Sequence, residues 1–185
     1  MEIIPGNAVR WSHFMAESLL NKNSLAVDLT AGNGHDTLFL AERVGRVIAM
    51  DIQDEAIHAT NIRLGEHNIQ NVELFCDSHE RVADYVALEK VDVFIMNLGY
   101  LPKGDKKNTT EWETTKKTLE LIIKSMKKHG MISICVYPGH EEGAVESDGL
   151  KMFCKNLNRR EYRVALSVFP NQHEDSPYWI GIERF

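Results

Sequence analysis

A chain of 185 residues with 43% hydrophobic content is long enough for one domain with a sizeable core. Its 21 Lys and Arg against 27 Asp and Glu leave a net charge of −6, which argues against broad, sequence-blind binding to nucleic acid, because such binding rests on neutralising phosphates. The longest apolar runs are strand-sized, so no membrane span is expected, and residues 1–24 lack the basic start, apolar stretch and cleavage site of a signal peptide.

In chain order, Asn7 is placed to cap a helix running to about residue 20, with Val9, Phe14, Leu19 and Leu20 among its apolar positions. His13 on this helix either approaches a ligand mouth or packs at the surface. Residues 25–29 read as a buried strand; Gly32 and Gly34 then let the backbone turn tightly, and a helix follows over 35–44. This is the first βα unit of a nucleotide-binding fold, whose ligands lie beyond the carboxyl ends of parallel strands. A dinucleotide site wants a third glycine where Thr37 stands, and Asp28 at the strand end would repel a pyrophosphate. A cationic ligand fits better. S-adenosylmethionine carries an amino group and a sulfonium, and Asp28-x-Thr30-x-Gly32-x-Gly34 is similar to motif I of class I methyltransferases. Asn33, His35 and Asp36 complete the expected cofactor loop.

Gly45 ends the helix, and a second strand over 46–51 closes on Asp51, 23 residues after Asp28. That interval suits a carboxylate on the ribose hydroxyls, with helix capping as the alternative; Gln53 is expected near the adenine edge. A helix over 54–67 leads to a third strand over 72–76. At its exit Asp77 is placed to accept from the exocyclic amine of adenine and the Ser78 backbone to meet a ring nitrogen. Ser78 is also placed to open a helix to residue 88, and His79 to line the pocket. Cys76 and Cys135 fall in predicted strands, and with Cys154 they make an odd set without metal-ligand spacing, as expected for reduced core residues of a cytoplasmic protein.

A fourth strand over 91–96 is followed by Asn97-Leu98-Gly99-Tyr100, similar to the Asn/Asp-Pro-Pro-Tyr/Phe motif of amino-group methyltransferases, with Leu98 and Gly99 in place of both prolines. An Asn carbonyl accepts from an amine, and an aromatic face packs a base. The polar loop 103–108, with Lys103 and Lys106, is placed to close over substrate. Thr110-x-x-Glu113 reads as a capping box opening a helix to residue 129, stopped by Gly130. Eight lysines between 103 and 128 form either a local basic face or a solvated helix surface. A fifth strand over 131–136 ends in the cluster Tyr137-Pro138-Gly139-His140-Glu141-Glu142. A helix within 144–157 and strands over 162–169 and 178–184 complete a single domain spanning 1–185.

Together the segments 28–40 (DLTAGNGHDTLFL), 77–80 (DSHE), 97–106 (NLGYLPKGDK) and 137–143 (YPGHEEG) resemble the YtqB-like family of rRNA methylases, across nearly the whole chain. The resemblance implies an α/β class I methyltransferase, a Rossmann-like three-layer sandwich on a mostly parallel seven-stranded sheet with an antiparallel terminal hairpin. It further implies S-adenosylmethionine-dependent methylation of the aminomethyl group of 5-aminomethyl-2-thiouridine at the tRNA wobble position, binding of the tRNA anticodon loop, and a homodimer. Asn97 and Tyr100 are then expected at the acceptor, with Leu98, Gly99, Lys103, Lys106 and Tyr137 around the substrate. The base is open among His140, His79, Asp105 and Glu141. Methylation of rRNA or another amine is the alternative within the enzyme class. A nicotinamide-dependent oxidoreductase, disfavoured by Asp28 and Thr37, and a non-catalytic binding module are the alternatives outside it.

Overall fold

The computed structural model describes residues 3–99 and 110–185. Tyr100, Lys103, Asp105, Lys106 and the rest of the 103–108 loop lie outside these described residues.

Among the described residues seven strands, β1 (Leu25–Asp28), β2 (Arg46–Asp51), β3 (Val72–Cys76), β4 (Val93–Asn97), β5 (Met131–Val136), β6 (Tyr162–Ser167) and β7 (Tyr178–Arg184), form one sheet in the order β3-β2-β1-β4-β5-β7-β6. Strands β1 to β5 pair in parallel, while β7 runs antiparallel to both β5 and β6. This is the expected class I arrangement. The chain leaves β1 towards β2 and β3 on one side and returns to β4 on the other, which opens a crevice at the carboxyl ends of β1 and β4.

Helices α1 (Ala8–Glu17), α2 (His35–Ala41) and α3 (Asp54–Glu66) cover one face; α4 (Trp112–Ser125), α5 (Glu141–Lys155) and two short 3-10 turns cover the other. The central strands β1, β2, β4 and β5 are mostly apolar because both of their faces are covered, whereas the edge strands β3 and β6 are partly exposed. Side chains alternate: Ala26, Val47, Ala49, Val93 and Ile95 pack under α1 and α2, while Val27, Ile48, Met50, Phe94 and Met96 pack with Leu119 and Ile122 of α4 and Leu150 of α5. Among the described residues no helix is long and apolar enough to cross a membrane.

Asn7 caps α1 as expected, its side chain accepting from the Arg10 amide. The buried side of α1, however, is Ala8, Ser12 and Ala16, and Phe14 is 60% exposed. Small residues let α1 lie close on the sheet, where Trp179 Nε1 donates to Ser133 Oγ and Ser133 Oγ donates to Ser12 Oγ, both at 2.7 Å. The segment after Ser78 forms 3-10 turns over His79–Asp84 and Leu88–Lys90 in place of one α-helix. Val82, Val86 and Leu88 must all reach the core, and Tyr85 bonds back to Asp77, which the straight repeat of an α-helix would not allow.

The expected capping box does not form: α4 starts after Glu111, and Thr110 Oγ1 donates to Glu146 of α5 instead. That helix ends at Ser125 because Met126 turns to an extended conformation, its carbonyl taken by Arg184. Helix α2 stops at Ala41, short of residue 44. Strand β4 starts two residues late because Val91 closes a 3-10 turn and the Asp92 carboxylate accepts from the Leu25 amide. All three cysteines are free, and Cys76, expected in the core, is exposed because β3 is an edge strand.

Candidate functional site

The glycine turn after β1 is held from three sides. Gly32 and Gly34 take φ of 53° and 76°, and a Cβ on Gly34 would stand 2.9 Å from Thr60 Cα, so α2 and α3 approach where only glycine fits. Thr60 Oγ1 donates to the Gly32 carbonyl, and Arg63 Nε donates to the Asn33 carbonyl at 2.6 Å. From β2, Asp51 accepts from the Gly32 amide on one oxygen and the Gln53 amide on the other.

Asp28 does not line the ligand space. It shares the pleat side of Ala26 and is fully buried, accepting from the Thr30 amide and from Thr37 Oγ1 at 2.6 Å. Burial, and next the negative charge of Asp36, push its carboxyl from 3.8 up to about 7. Thr37, where a dinucleotide site would have its third glycine, is the hydroxyl that satisfies it. Asp28 therefore braces the loop from beneath, and the carboxylate of this loop that lines the ligand space is Asp36.

A cavity of about 1400 Å³ opens at the strand ends. This is larger than the roughly 300–1,000 Å³ of a pocket for one small molecule, and it leaves room for a donor and an acceptor together. It is lined by Thr30, Gly32, Asn33, His35, Asp36, Asp51, Gln53, Asp77, Ser78, His79, Asn97, Leu98, Gly99, Tyr137 and His140, all anticipated in the sequence. Gly34 does not line it, nor does Glu141, whose neighbour Glu142 does. The described lining holds six carboxylates, Asp36, Asp51, Asp77, Glu111, Glu142 and Asp175, and no lysine or arginine. Such a wall attracts cations and repels free phosphate. These residues fit a donor that carries a sulfonium and an ammonium.

At one end Asp51, Ile52, Gln53, Asp77, Ser78 and His79 come together. Ile52 is 58% exposed there, an apolar surface suited to the flat face of a purine. Asp77 accepts from Tyr85 Oη at 2.5 Å and from the Ser78 amide, which together hold its carboxyl below the usual range. His79 is buried beside α4, and burial pushes its imidazole down to about 4, so it stays neutral. Thr118 Oγ1 already donates to the Thr114 carbonyl, so His79 Nδ1–H must be the donor in their 2.7 Å bond, leaving Nε2 with a lone pair. It is a weak base.

At the other end Asn97 closes β4. Its backbone amide donates to Thr30 Oγ1 at 2.7 Å, tying the end of β4 to the loop after β1. Its side-chain Nδ2 donates to Asp36 Oδ2, and Asp36 Oδ1 accepts from His13 Nε2 at 2.5 Å. Asn97 Oδ1 is buried with no hydrogen-bond partner among the described residues. The same cavity wall carries Leu98, Gly99, Tyr137 and His140, with a Cβ on Gly99 coming within 3.8 Å of the Tyr137 side chain. Burial pushes the Tyr137 phenol up, so it is a neutral wall.

Sequence reasoning missed Ile52, Glu111 and Asp175 as lining residues, and His13 as the partner of Asp36; Glu142 belongs to the cluster expected at the end of β5. Only the topology would have revealed Asp175, since the β6 to β7 connection lies beside the β5 exit.

Comparison with known proteins agrees with this geometry. Residues 47–183 match the protein family described as "Putative rRNA methylase". The chain is 34% identical over 163 residues to the chloroplastic tRNA (mnm(5)s(2)U34)-methyltransferase of Arabidopsis thaliana; the match covers 81% of this chain and 60% of the plant protein's length. The structure superposes with a TM-score of 0.94 on a "putative rRNA-methylase" from Clostridium thermocellum, 33% identical over the whole of both chains. It superposes at 0.90 on a Streptococcus mutans "putative methyltransferase" solved with S-adenosylhomocysteine, 34% identical, again over both full chains. The chain thus belongs to the "Putative rRNA methylase" family and is a methyltransferase of the S-adenosylmethionine-dependent class.

Proposed function

We propose that the protein methylates the aminomethyl group of 5-aminomethyl-2-thiouridine at the wobble position of tRNA, acting as a cytoplasmic homodimer on the anticodon loop. The observation that carries this reading is Asn97 Oδ1, a buried carbonyl oxygen without a hydrogen-bond partner among the described residues, in a cavity walled by carboxylates. An unpaired buried acceptor costs free energy unless a ligand donates to it, and an amine is such a ligand. The name of the plant relative, which shares 34% identity, supports the nucleoside. A splayed-out loop base entering this cavity requires no broad basic surface, in keeping with a net charge of −6.

When bound, S-adenosylmethionine supplies a methyl group on a positively charged sulfur. The side chains of this protein hold the acceptor in line with it. A free aliphatic amine has a pKa of roughly 10, so at neutral pH it arrives protonated and must lose that proton before it attacks. Carboxylates that attract the ammonium also retain its proton, so a separate proton acceptor is needed. His79 is too weak a base and Glu141 is off the cavity wall, which leaves His140 as the described candidate from the sequence set. Asn97 accepts from the amine and aims its lone pair, and positioning supplies most of the rate.

Methylation of rRNA is the second reading, favoured by the family's description. The test is incubation of the purified protein and labelled S-adenosylmethionine with tRNA lacking the final wobble methyl, followed by nucleoside mass spectrometry. Appearance of 5-methylaminomethyl-2-thiouridine supports the proposal. Absence of that product, with cofactor binding intact and label transferred to rRNA, overturns the tRNA reading.

A further inference from the structure

An asparagine amide has a donor end and an acceptor end of nearly equal shape, and only its surroundings decide which end faces a ligand. Asn97 ends β4 on the cavity wall, and the group beside its amide is Asp36, from the first turn of α2. An ionised carboxylate only accepts, so it selects the Nδ2 end and leaves Oδ1 as the free atom. Asp36 is itself held. His13 Nε2 donates to its other oxygen at 2.5 Å. The His13 ring is fixed by stacking on Phe39, centroids 3.7 Å apart and planes within 3°, and by α1, which the Ser12, Ser133 and Trp179 chain pins to the sheet. His13 is not among the residues that line the cavity.

We propose that His13 and Asp36 are positioning residues that orient the Asn97 amide, so that its carbonyl oxygen, and not its NH₂, receives the hydrogen of the acceptor amine. The proposal deepens the amine-methyltransferase reading and rests on it. His13 acts on the reaction through Asp36 and Asn97, three hydrogen bonds away from the acceptor amine. With His13 removed, Asp36 is free to swing and the Asn97 amide to turn over, presenting N–H groups to an amine that is itself a donor. Asp36→Asn has the same effect directly, since an amide at position 36 satisfies either end of Asn97.

The test compares wild type, His13→Ala, His13→Gln and Asp36→Asn by steady-state kinetics on the aminomethyl tRNA, donor affinity by calorimetry, melting temperature, and ¹⁵N NMR of the Asn97 side-chain amide. His13→Ala is expected to lower kcat about tenfold, the loss of one hydrogen bond to a charged group, with donor Kd close to wild type and only a modest fall in melting temperature from the oxygen left unpaired on Asp36. His13→Gln keeps a donor on a side chain of similar reach and restores most of kcat. The Asn97 Nδ2 protons, shifted downfield by the carboxylate in wild type, move upfield in His13→Ala and Asp36→Asn. Unchanged kcat in His13→Ala overturns the proposal, as does a loss matched by equal losses of donor affinity and melting temperature, or an Asn97 amide signal that ignores both substitutions. A wild-type protein that makes no product on this tRNA instead overturns the substrate reading, while the NMR arm still decides whether His13 and Asp36 set the amide.

Discussion

Gly99 and Thr110 are hydrogen-bonded to each other in both directions: the Thr110 amide donates to the Gly99 carbonyl at 3.0 Å, and the Gly99 amide donates to Thr110 Oγ1 at 2.9 Å. Thr110 Oγ1 then donates to the buried Glu146 carboxylate at 2.7 Å, which also accepts from Thr115. The three bonds anchor the chain on both sides of residues 100–109 to α5, next to Leu98 at the acceptor end. Thr110→Val removes the hydroxyl while keeping the shape. It leaves the Gly99 amide without its acceptor and costs about 1–3 kcal/mol of stability. Turnover should fall more than donor affinity, because Gly99 is at the acceptor end and the purine end is untouched. Denaturant unfolding and a kcat-against-Kd comparison measure both.

Asp28 makes stability depend on pH in a direction opposite to that of a paired surface acid. Its folded pKa is raised from 3.8 to about 7. Between those values the folded state binds a proton that the unfolded chain has released, so stability falls as pH rises through that window. The contribution is fully present below pH 3.8 and is lost above about 7. Asp28→Asn stays neutral and keeps both bonds, its carbonyl accepting from the Thr30 amide and its NH₂ donating to Thr37 Oγ1. The variant is expected to gain on wild type between pH 5 and pH 8, by up to about 4 kcal/mol for a shift of this size. Unfolding curves at the two pH values, compared between the two proteins, isolate Asp28 from the other buried acids; equal slopes contradict the assignment.

The strands were legible where the chain marks their ends. Gly45, Asn71, Gly130 and Pro177 precede apolar runs, and β2, β3, β5 and β7 begin and end where those runs do. The lining residues were legible for the same reason, since β1, β2, β3, β4 and β5 each end in a polar residue or run into a polar loop at one edge of the sheet. What could not be read was anything decided by a distant partner. Thr110-x-x-Glu113 has the spacing of a capping box, but Glu146, 36 residues on, takes the hydroxyl. Phe14 looked like core, but Ser12 meets Ser133, 121 residues away, and turns Phe14 outward. Asp28 and Asp36 are both acids of one motif, and only the pleat decides that Asp28 goes under the loop and Asp36 to the cavity.

Gly181 is the slot for the indole that anchors α1. A Cβ there would stand 2.3 Å from the Trp179 ring, so Gly181→Ala must push the ring away and break its bond to Ser133 Oγ. Overpacking of this kind costs roughly 1–3 kcal/mol. Because Ser133 also holds Ser12, the loss should reach His13 and lower turnover too. Ser133→Ala breaks the same chain without the clash. It is expected to reproduce the turnover defect with a smaller loss of stability. Melting temperatures and kcat for the two variants check this; a Gly181→Ala protein as stable as wild type contradicts it.

Asn97 meets the site through three groups with separate duties. Its backbone amide bonds Thr30 Oγ1, its Nδ2 bonds Asp36, and its Oδ1 has no described partner. Asn97→Ala keeps the first and removes the other two. The loop after β1 remains braced by Thr60, Arg63 and Asp51, and Asp36 keeps His13, so the donor end is left standing. Donor affinity should change by no more than a few-fold. Turnover should fall by roughly 10²-fold, the cost of a reacting group misplaced by about 1 Å. Asp51→Ala is the opposite case: it releases the Gly32 and Gln53 amides at the donor end and should weaken donor binding well before it alters turnover at saturation. Calorimetric titration of S-adenosylhomocysteine with single-turnover rates separates the two effects. Equal loss of affinity and rate in Asn97→Ala would move Asn97 from the acceptor to the donor.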